Sequence, residues 1–483
     1  MNQAQLLING TLCAARSGAT FERINPVQGT VATVAAAAQT EDVSAALEAA
    51  AQAYPAWAAL GPSERRQHLL KAAELMEQRQ AEFIRIAGQE TGSTEAWYGF
   101  NVMLAANILR EAAAMTTQVQ GALIPSDIPG NLSMAKRVPC GVVVSMAPWN
   151  APVILATRAL AMPLACGNTV ILKSSERCPA THLLIGQVLN EAGLPPGVVN
   201  IISHAPEDAP AVVEQLIAHP VVKRINFTGS TRVGRKIAVL AAQHLKPVLL
   251  ELGGKAPAII CADADVEQAV AGVVFGAFFN QGQICMSTER LIVHEDIAEE
   301  FLAQLVARIN GITAGDPKAV KAAFGHLESA EAAQRIQSLV EDAQAKGAKL
   351  PVPLQIDGAF MAPVVIADIT PAMRLYGEES FGPVVTMTTY GHVEEAVALA
   401  NDTPYGLSAA VYSQDVSQAL WIADQIDSGI CHINGPTVSD EAQAPFGGMK
   451  ESGYGRFGGR AAIEAFTELR WVTLQNTPRT FPL

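Results

Sequence analysis

The 483-residue sequence has no C-x-x-C spacing, no block of basic residues and no uninterrupted apolar run long enough for a bilayer. The first absence, with an odd count of seven cysteines, argues against a disulfide framework or zinc site and fits a reducing compartment. The second, with a net charge of −13, argues against nucleic acid, whose phosphates need a basic surface. The most apolar window, residues 141–167, contains Pro148, Asn150, Pro152, Arg158 and Pro163. It reads as a buried strand, a loop and a core helix rather than a span. The opening M-N-Q-A-Q-L-L-I-N-G lacks the basic start and apolar run of a signal peptide, so a soluble cytoplasmic protein is expected. Charged residues are few, at 16%, against 49% hydrophobic ones, which permits a large core.

From residue 140, β-rich runs alternate with helical patterns. The runs are G-V-V-V-S-M (141–146), G-N-T-V-I-L-K (167–173), V-V-N-I-I-S, V-K-R-I-N-F-T (222–228) and P-V-L-L-E-L (247–252). Helices are predicted over 181–193, near Asp208–Ala218 and from Ser230. Such alternation predicts a mainly parallel sheet with covering helices. A second series starts near Pro257 with A-I-I-C-A, a helix over 264–280 and R-L-I-V-H. Two Rossmann-like α/β domains are therefore expected, joined near Gly253-Gly254. Residues 1–118 and 140–253 would form one and residues 254–463 the other. The segments 119–139 and 464–483 read as isolated strands that pair into a small extension at a subunit contact. No internal repeat is visible.

Two glycine-rich stretches fall short of nucleotide motifs. G-Y-G-R-F-G (453–458) matches G-x-G-x-x-G, but too little chain follows for a βαβ unit, so it reads as a loop between domains. F-T-G-S-T-R-V-G-R-K (227–236) lacks the G-K-[S/T] end of a P-loop. It still places Gly229 and Ser230 at a helix start, where free N–H groups suit a phosphate. In I-L-K-S-S-E (171–176), Lys173 and Glu176 follow a strand and could bind ribose hydroxyls. A carboxylate there would repel a 2′-phosphate, favouring NAD over NADP.

Four further stretches carry reactive groups. Asn150 follows a strand in A-P-W-N, Glu251 sits in L-E-L-G-G-K, and Cys285 ends Q-G-Q-I-C. E-E-S-F-G-P-V (378–384) adds a carboxylate and an aromatic ring. No histidine neighbours Cys285 in the chain, and His432 beside Cys431 reads as structural.

In this order, P-W-N, K-S-S-E, F-T-G-S-T-x-x-G, L-E-L-G-G-K, F-N-Q-G-Q-x-C, E-E-x-F-G-P-V, N-D-T-P-Y-G-L and P-F-G-G-x-K-x-S-G-x-G-R resemble the aldehyde dehydrogenase superfamily along nearly the whole chain. The resemblance implies that Cys285 attacks an aldehyde to form a thiohemiacetal, whose oxyanion is held by Asn150 and the Cys285 backbone N–H. It implies hydride transfer to NAD and hydrolysis of the resulting thioester by water that Glu251 activates. Glu251 through water, a helix N-terminus and the nicotinamide ring would activate the thiol. Carried over by position, the cofactor residues are Trp149, Lys173, Glu176, Gly229, Ser230, Gly234, Leu252, Glu379 and Phe381. Where many members have a glycine-rich turn, this chain has S-H-A-P-E-D-A-P (203–210), which leaves the adenine-side contacts open. A CoA-acylating relative, a cysteine hydrolase and a non-catalytic NAD-binding protein fit this residue set less well.

Ala151 after Asn150, and Ile284 and Met286 around Cys285, look like the branch acting on aromatic aldehydes. Salicylaldehyde is the expected substrate, with vanillin and benzaldehyde as alternatives. Ala151 would make room for a ring packed by Phe279, Ile284 and Phe446. Arg158 would lie near the mouth and meet a ring hydroxyl or the product carboxylate, or else form a buried ion pair. A homodimer or homotetramer is expected.

Overall fold

Strands covered on both faces read as continuous apolar runs, and Val142–Met146 and Val199–Ile202 are buried at every residue. The structure, a computed structural model, describes residues 1–312 and 324–482. Part of the 254–463 segment and the last residue of the tail thus lie outside the described residues. Five parallel strands form the centre of the first sheet: β1 (Val142–Met146), β2 (Thr169–Lys173), β3 (Val199–Ile202), β4 (Val222–Thr228) and β5 (Val248–Glu251). Their spatial order is β5-β4-β1-β2-β3. The order reverses between β1 and β4, and such a switch point opens a crevice at the carboxyl ends of the strands.

The sheet is wider than the five strands. Leu6–Ile8 pairs antiparallel to β3 and Thr11–Cys13 continues beyond it. At the other edge Gly453–Tyr454 pairs antiparallel to β5, opposite Leu250 and Glu251. The 453–458 stretch, expected as a loop between domains, therefore adds a strand beside Glu251. Its glycines permit this: Gly453 has φ of +109°, and a Cβ there would lie 2.1 Å from the Leu250 carbonyl oxygen.

A second sheet has six parallel strands: β6 (Ala256–Ile260), β7 (Thr288–His294), β8 (Val364–Ala367), β9 (Val384–Tyr390), β10 (Ser408–Tyr412) and β11 (Ile430–Ile433), in the order β8-β9-β7-β6-β10-β11. Only residues 252–255 separate β5 from β6. The carboxyl edge of the first sheet therefore meets the amino edge of the second. The doubly wound α/β fold expected from the sequence is present.

The two isolated strands do pair. Asn131–Pro139 runs antiparallel to Thr467–Gln475 in unbroken register, and Ala122–Ile124 completes a third sheet. Helix ends differ by a few residues from those expected. The 181–193 helix is Pro179–Glu191, opened by a proline at its first position. The 264–280 helix is Val266–Phe278, capped by Asp265. Its predicted last residues instead enter a tight turn. Among the described residues no helix is long and apolar enough to cross a membrane.

Candidate active site

After the Val266–Phe278 helix, Asn280, Gln281 and Gly282 take φ values of +48°, +55° and +70°. Consecutive left-handed residues are costly for side chains other than glycine, so local contacts must hold them. The Asn280 amide donates to the carbonyl oxygens of Asn150, at 3.0 Å, and Gln283, at 3.1 Å. Ser287 Oγ donates to the Gly282 carbonyl at 3.0 Å. At Gly282 a Cβ would lie 2.1 Å from the Gly382 carbonyl oxygen, so no larger residue fits. This turn delivers Cys285 just before β7, at the edge that faces the first sheet.

Asn150 and Glu251 arrive from that facing edge. Asn150 lies beyond the end of β1, before the Pro152–Ala165 helix. Its amide donates to the Gln283 carbonyl at 3.0 Å, and its own carbonyl accepts from Trp97 Nε1 at 3.0 Å. The amide carries a second N–H that donates to no protein group among the described residues. Nor does the Cys285 backbone N–H. Gly254 packs against Cys285, since a Cβ there would stand 2.3 Å from the Cys285 carbonyl oxygen.

Glu251, the last residue of β5, is 2% exposed, and neither carboxylate oxygen has a hydrogen-bond partner among the described residues. Burial raises its pKa to about 8, against the pull of Arg158 and Arg456. A Cβ on Gly447 would lie 2.8 Å from Glu251 Oε1, so the carboxylate rests against a glycine backbone. Burial also pushes the Cys285 thiol well up, reinforced by the charges of Glu251 and Glu379. A turn and β7 follow Cys285, and no helix begins there. The Pro152–Ala165 helix begins instead two residues after Asn150, whose amide bonds the Gln283 carbonyl.

Three of the proposed cofactor residues sit at or just beyond strand ends beside the switch point. Met146 pairs with Lys173 and with Phe227, so Trp149, Lys173 and Gly229 all follow neighbouring strand ends. Ser230 caps the Thr231–Gln243 helix through Val233 N–H, and its first turn holds no acid. Gly234 lets that helix press on the strand end: a Cβ would lie 2.4 Å from Leu252 Cδ2. Burial lowers the Lys173 pKa, while Glu176 counters it. Burial pushes Glu176 up, but Lys173, a backbone hydrogen bond, His204 and Arg177 together outweigh this and leave its pKa lowered. Glu379 accepts from Gly254 N–H at 3.0 Å, and burial raises its pKa to about 7. Trp149 and Phe381 meet edge to face, with ring centroids 5.7 Å apart. Close helix-to-strand packing, free helix N–H groups and a hydroxyl-binding pair at strand ends suit a dinucleotide.

Four of the proposed substrate-side residues share the large core around the Pro152–Ala165 helix. Ala151, Ile284 and Phe446 belong to one buried cluster, with Phe279 and Cys285 packed against it. Phe279 meets Trp97 edge to face at 5.0 Å. Arg158 is 5% exposed, ion-paired with Asp440, and its guanidinium stands 4.3 Å from the Phe446 ring centroid. Of the two expectations for Arg158, the buried ion pair is present, with Asp440 and Phe446 as the partners of the guanidinium.

Sequence reasoning missed Trp97, Asn280, Gln283 and Asp440. Trp97 comes from the Glu95–Met115 helix, far outside the motifs, and nothing in the chain signals that it reaches Asn150. Asn280 and Gln283 sit inside the quoted cysteine motif and were legible as turn formers.

The sequence model of the aldehyde dehydrogenase family matches residues 13–472. A vanillin dehydrogenase of Pseudomonas fluorescens is 60% identical over 483 residues, covering 100% of both chains. A salicylaldehyde dehydrogenase of Pseudomonas putida is 47% identical, covering 99% of this chain and 100% of that one. The crystal structure of a salicylaldehyde dehydrogenase from Pseudomonas putida G7, complexed with salicylaldehyde, superposes with a TM-score of 0.98 at 46% identity, covering 100% of both chains.

Proposed function

We propose, from the premise that the chain belongs to the aldehyde dehydrogenase family, that it oxidises aromatic aldehydes to carboxylic acids with NAD as hydride acceptor. The observation that carries this reading is the meeting of Cys285, the Asn150 amide and the unpartnered Glu251 carboxylate where the two sheets face each other. Family members use NAD or NADP; Glu176 beside Lys173 favours NAD. Salicylaldehyde remains the expected substrate. Vanillin is supported as well, given the 60% identical relative named for it. Benzaldehyde is the third candidate.

Glu251 takes the Cys285 proton, through water, as sulfur attacks the aldehyde carbon. The second Asn150 N–H and the Cys285 N–H receive the oxyanion of the thiohemiacetal. NAD, which Lys173, Glu176, Ser230 and Glu379 would hold, would supply the hydride acceptor that takes the adduct to a thioester on Cys285. After passing that first proton to solvent, Glu251 draws a proton from water, whose oxygen attacks the thioester. The C–S bond breaks, the carboxylic acid leaves and Cys285 is freed as thiolate. Ala151, Phe279, Ile284 and Phe446 supply apolar walls for a ring.

NADH formation, followed by absorbance across salicylaldehyde, vanillin, benzaldehyde and hexanal with NAD and with NADP, tests the reading. Aromatic substrates should lead, and Cys285→Ser should be inactive. Full activity in that variant would remove the covalent mechanism, and a preference for hexanal would remove the aromatic one. A homodimer or homotetramer in the cytoplasm is part of the same proposal. The three-stranded sheet, with Leu123, Leu469 and Trp471 exposed, is the surface that supports it. A monomer in light scattering would count against it.

A further inference from the structure

Asp440 is a carboxylate with one oxygen engaged and one idle. Its Oδ2 is ion-paired with Arg158, with side-chain exposures of 9% for Asp440 and 6% for Arg158. Its Oδ1 is buried and has no hydrogen-bond partner among the described residues. A buried carboxylate oxygen without a donor is costly, and native structures keep few of them without a reason.

A chain of contacts leads from this ion pair to the chemistry, and the Asp440 charge is felt at both Glu251 and Cys285. Arg158 stacks on Phe446. Gly447, next in the chain, touches the Glu251 carboxylate. Phe446 shares its cluster with Ile284 and Ala151, which flank the catalytic groups in sequence. The Arg158 guanidinium has its face on the ring and one amino group on Asp440. Asp440 Oδ1 is the acceptor of this pair left open.

We infer that Asp440 is a specificity residue that accepts the hydroxyl of a phenolic aldehyde through Oδ1, and that Arg158 holds the carboxylate in position. This deepens the aromatic-aldehyde reading and rests on it. A phenolic ring brings the donor that the buried oxygen lacks, whereas an unsubstituted ring leaves it unmatched. Sites built to bond a substrate hydroxyl discriminate strongly against the analogue without it. Phenolic substrates should therefore outrun benzaldehyde, and the gap should depend on Asp440.

The test measures kcat/KM for benzaldehyde, the three hydroxybenzaldehyde isomers and their methoxy counterparts. The full chain is compared with Asp440→Asn and Asp440→Ala. At least one hydroxy isomer should exceed both benzaldehyde and its methoxy analogue in the unaltered protein. That ratio should fall about tenfold in Asp440→Asn and further in Asp440→Ala. Because both rates come from one preparation, partial unfolding cancels from the ratio. If the variants slow all substrates equally, the pair is only structural and the inference fails. If the unaltered protein shows no preference for any hydroxy isomer, the inference fails while the aromatic reading stands. If no aromatic aldehyde is oxidised, that reading fails and takes this one with it.

Discussion

Lys255 donates to Glu289 at 2.5 Å, in a pair with side-chain exposures of 1% and 4%. The same carboxylate accepts the backbone N–H groups of Ser380, at 2.9 Å, and Phe381, at 3.2 Å. One ion pair thus ties β6 to β7 and fixes the loop that carries Glu379 and Phe381. Glu379 returns to accept from Gly254, the residue before Lys255.

Replacing Lys255 with Met should therefore destabilise the protein by about 3–5 kcal/mol, because Glu289 would be left as an uncompensated buried charge. It should also weaken NAD binding by loosening the 379–381 loop. Denaturant unfolding and a cofactor titration check both. Unchanged stability would mean that the pair contributes no net energy.

Glu251 sets a pH dependence whose sign follows from burial. Its pKa is raised from 4.5 to about 8, so the folded chain holds this proton more tightly than the unfolded chain does. Its contribution to stability is full below about pH 4.5 and is lost as pH rises through about 8. Glu251→Gln should therefore gain melting temperature over the unaltered protein at pH 9 and little at pH 4. Catalysis runs the other way, since the base works only when ionised. The rate should climb with pH towards about 8, and the glutamine variant should lose both that limb and its turnover. A limb that survives in the variant would assign it to another group.

Asn150→Ala removes the side-chain donor aimed at the thiohemiacetal. A loss of about 10²–10³ in kcat is expected, with a smaller change in KM. It also breaks the bond to the Gln283 carbonyl, so the circular dichroism spectrum and the melting temperature should be recorded alongside. A fall in KM alone would contradict the oxyanion role.

Glu176→Gln should raise the ratio of NADP to NAD efficiency. The lost carboxylate no longer repels a 2′-phosphate, and Lys173 is left free to attract it. Steady-state kinetics with both cofactors decide this. An unchanged ratio would place the discrimination elsewhere, with His204 the neighbour to try next. His204 is 1% exposed, its Nε2 is unpartnered, and burial lowers its pKa to about 4, helped by Lys173.

Strand alternation from residue 140 made the two sheets legible, because fully buried parallel strands leave unbroken apolar runs. Cys285, Glu251 and Asn150 were legible as ordered motifs. What stayed hidden depends on contacts between segments far apart in the chain. Gly453–Tyr454 looked like a loop because a two-residue strand has no period, and its partner lies some 200 residues earlier. A buried ion pair was one of two readings for Arg158, but its partner stayed hidden because the helix that carries it gives no sign of Asp440, 282 positions away. Trp97 is hidden for the same reason, since its bond to Asn150 spans 53 positions.

The short link from β5 to β6 has one further consequence. It makes the reaction centre a seam, in which one sheet offers its carboxyl edge and the other its amino edge. The carboxyl edge of the second sheet, where open α/β sheets usually hold ligands, is turned away from the chemistry. Cys261, His294 and Tyr390 gather there around a cavity of about 330 Å³. None of Asn150, Glu251 and Cys285 lines that cavity, so the thiol and the groups that serve it face only the seam.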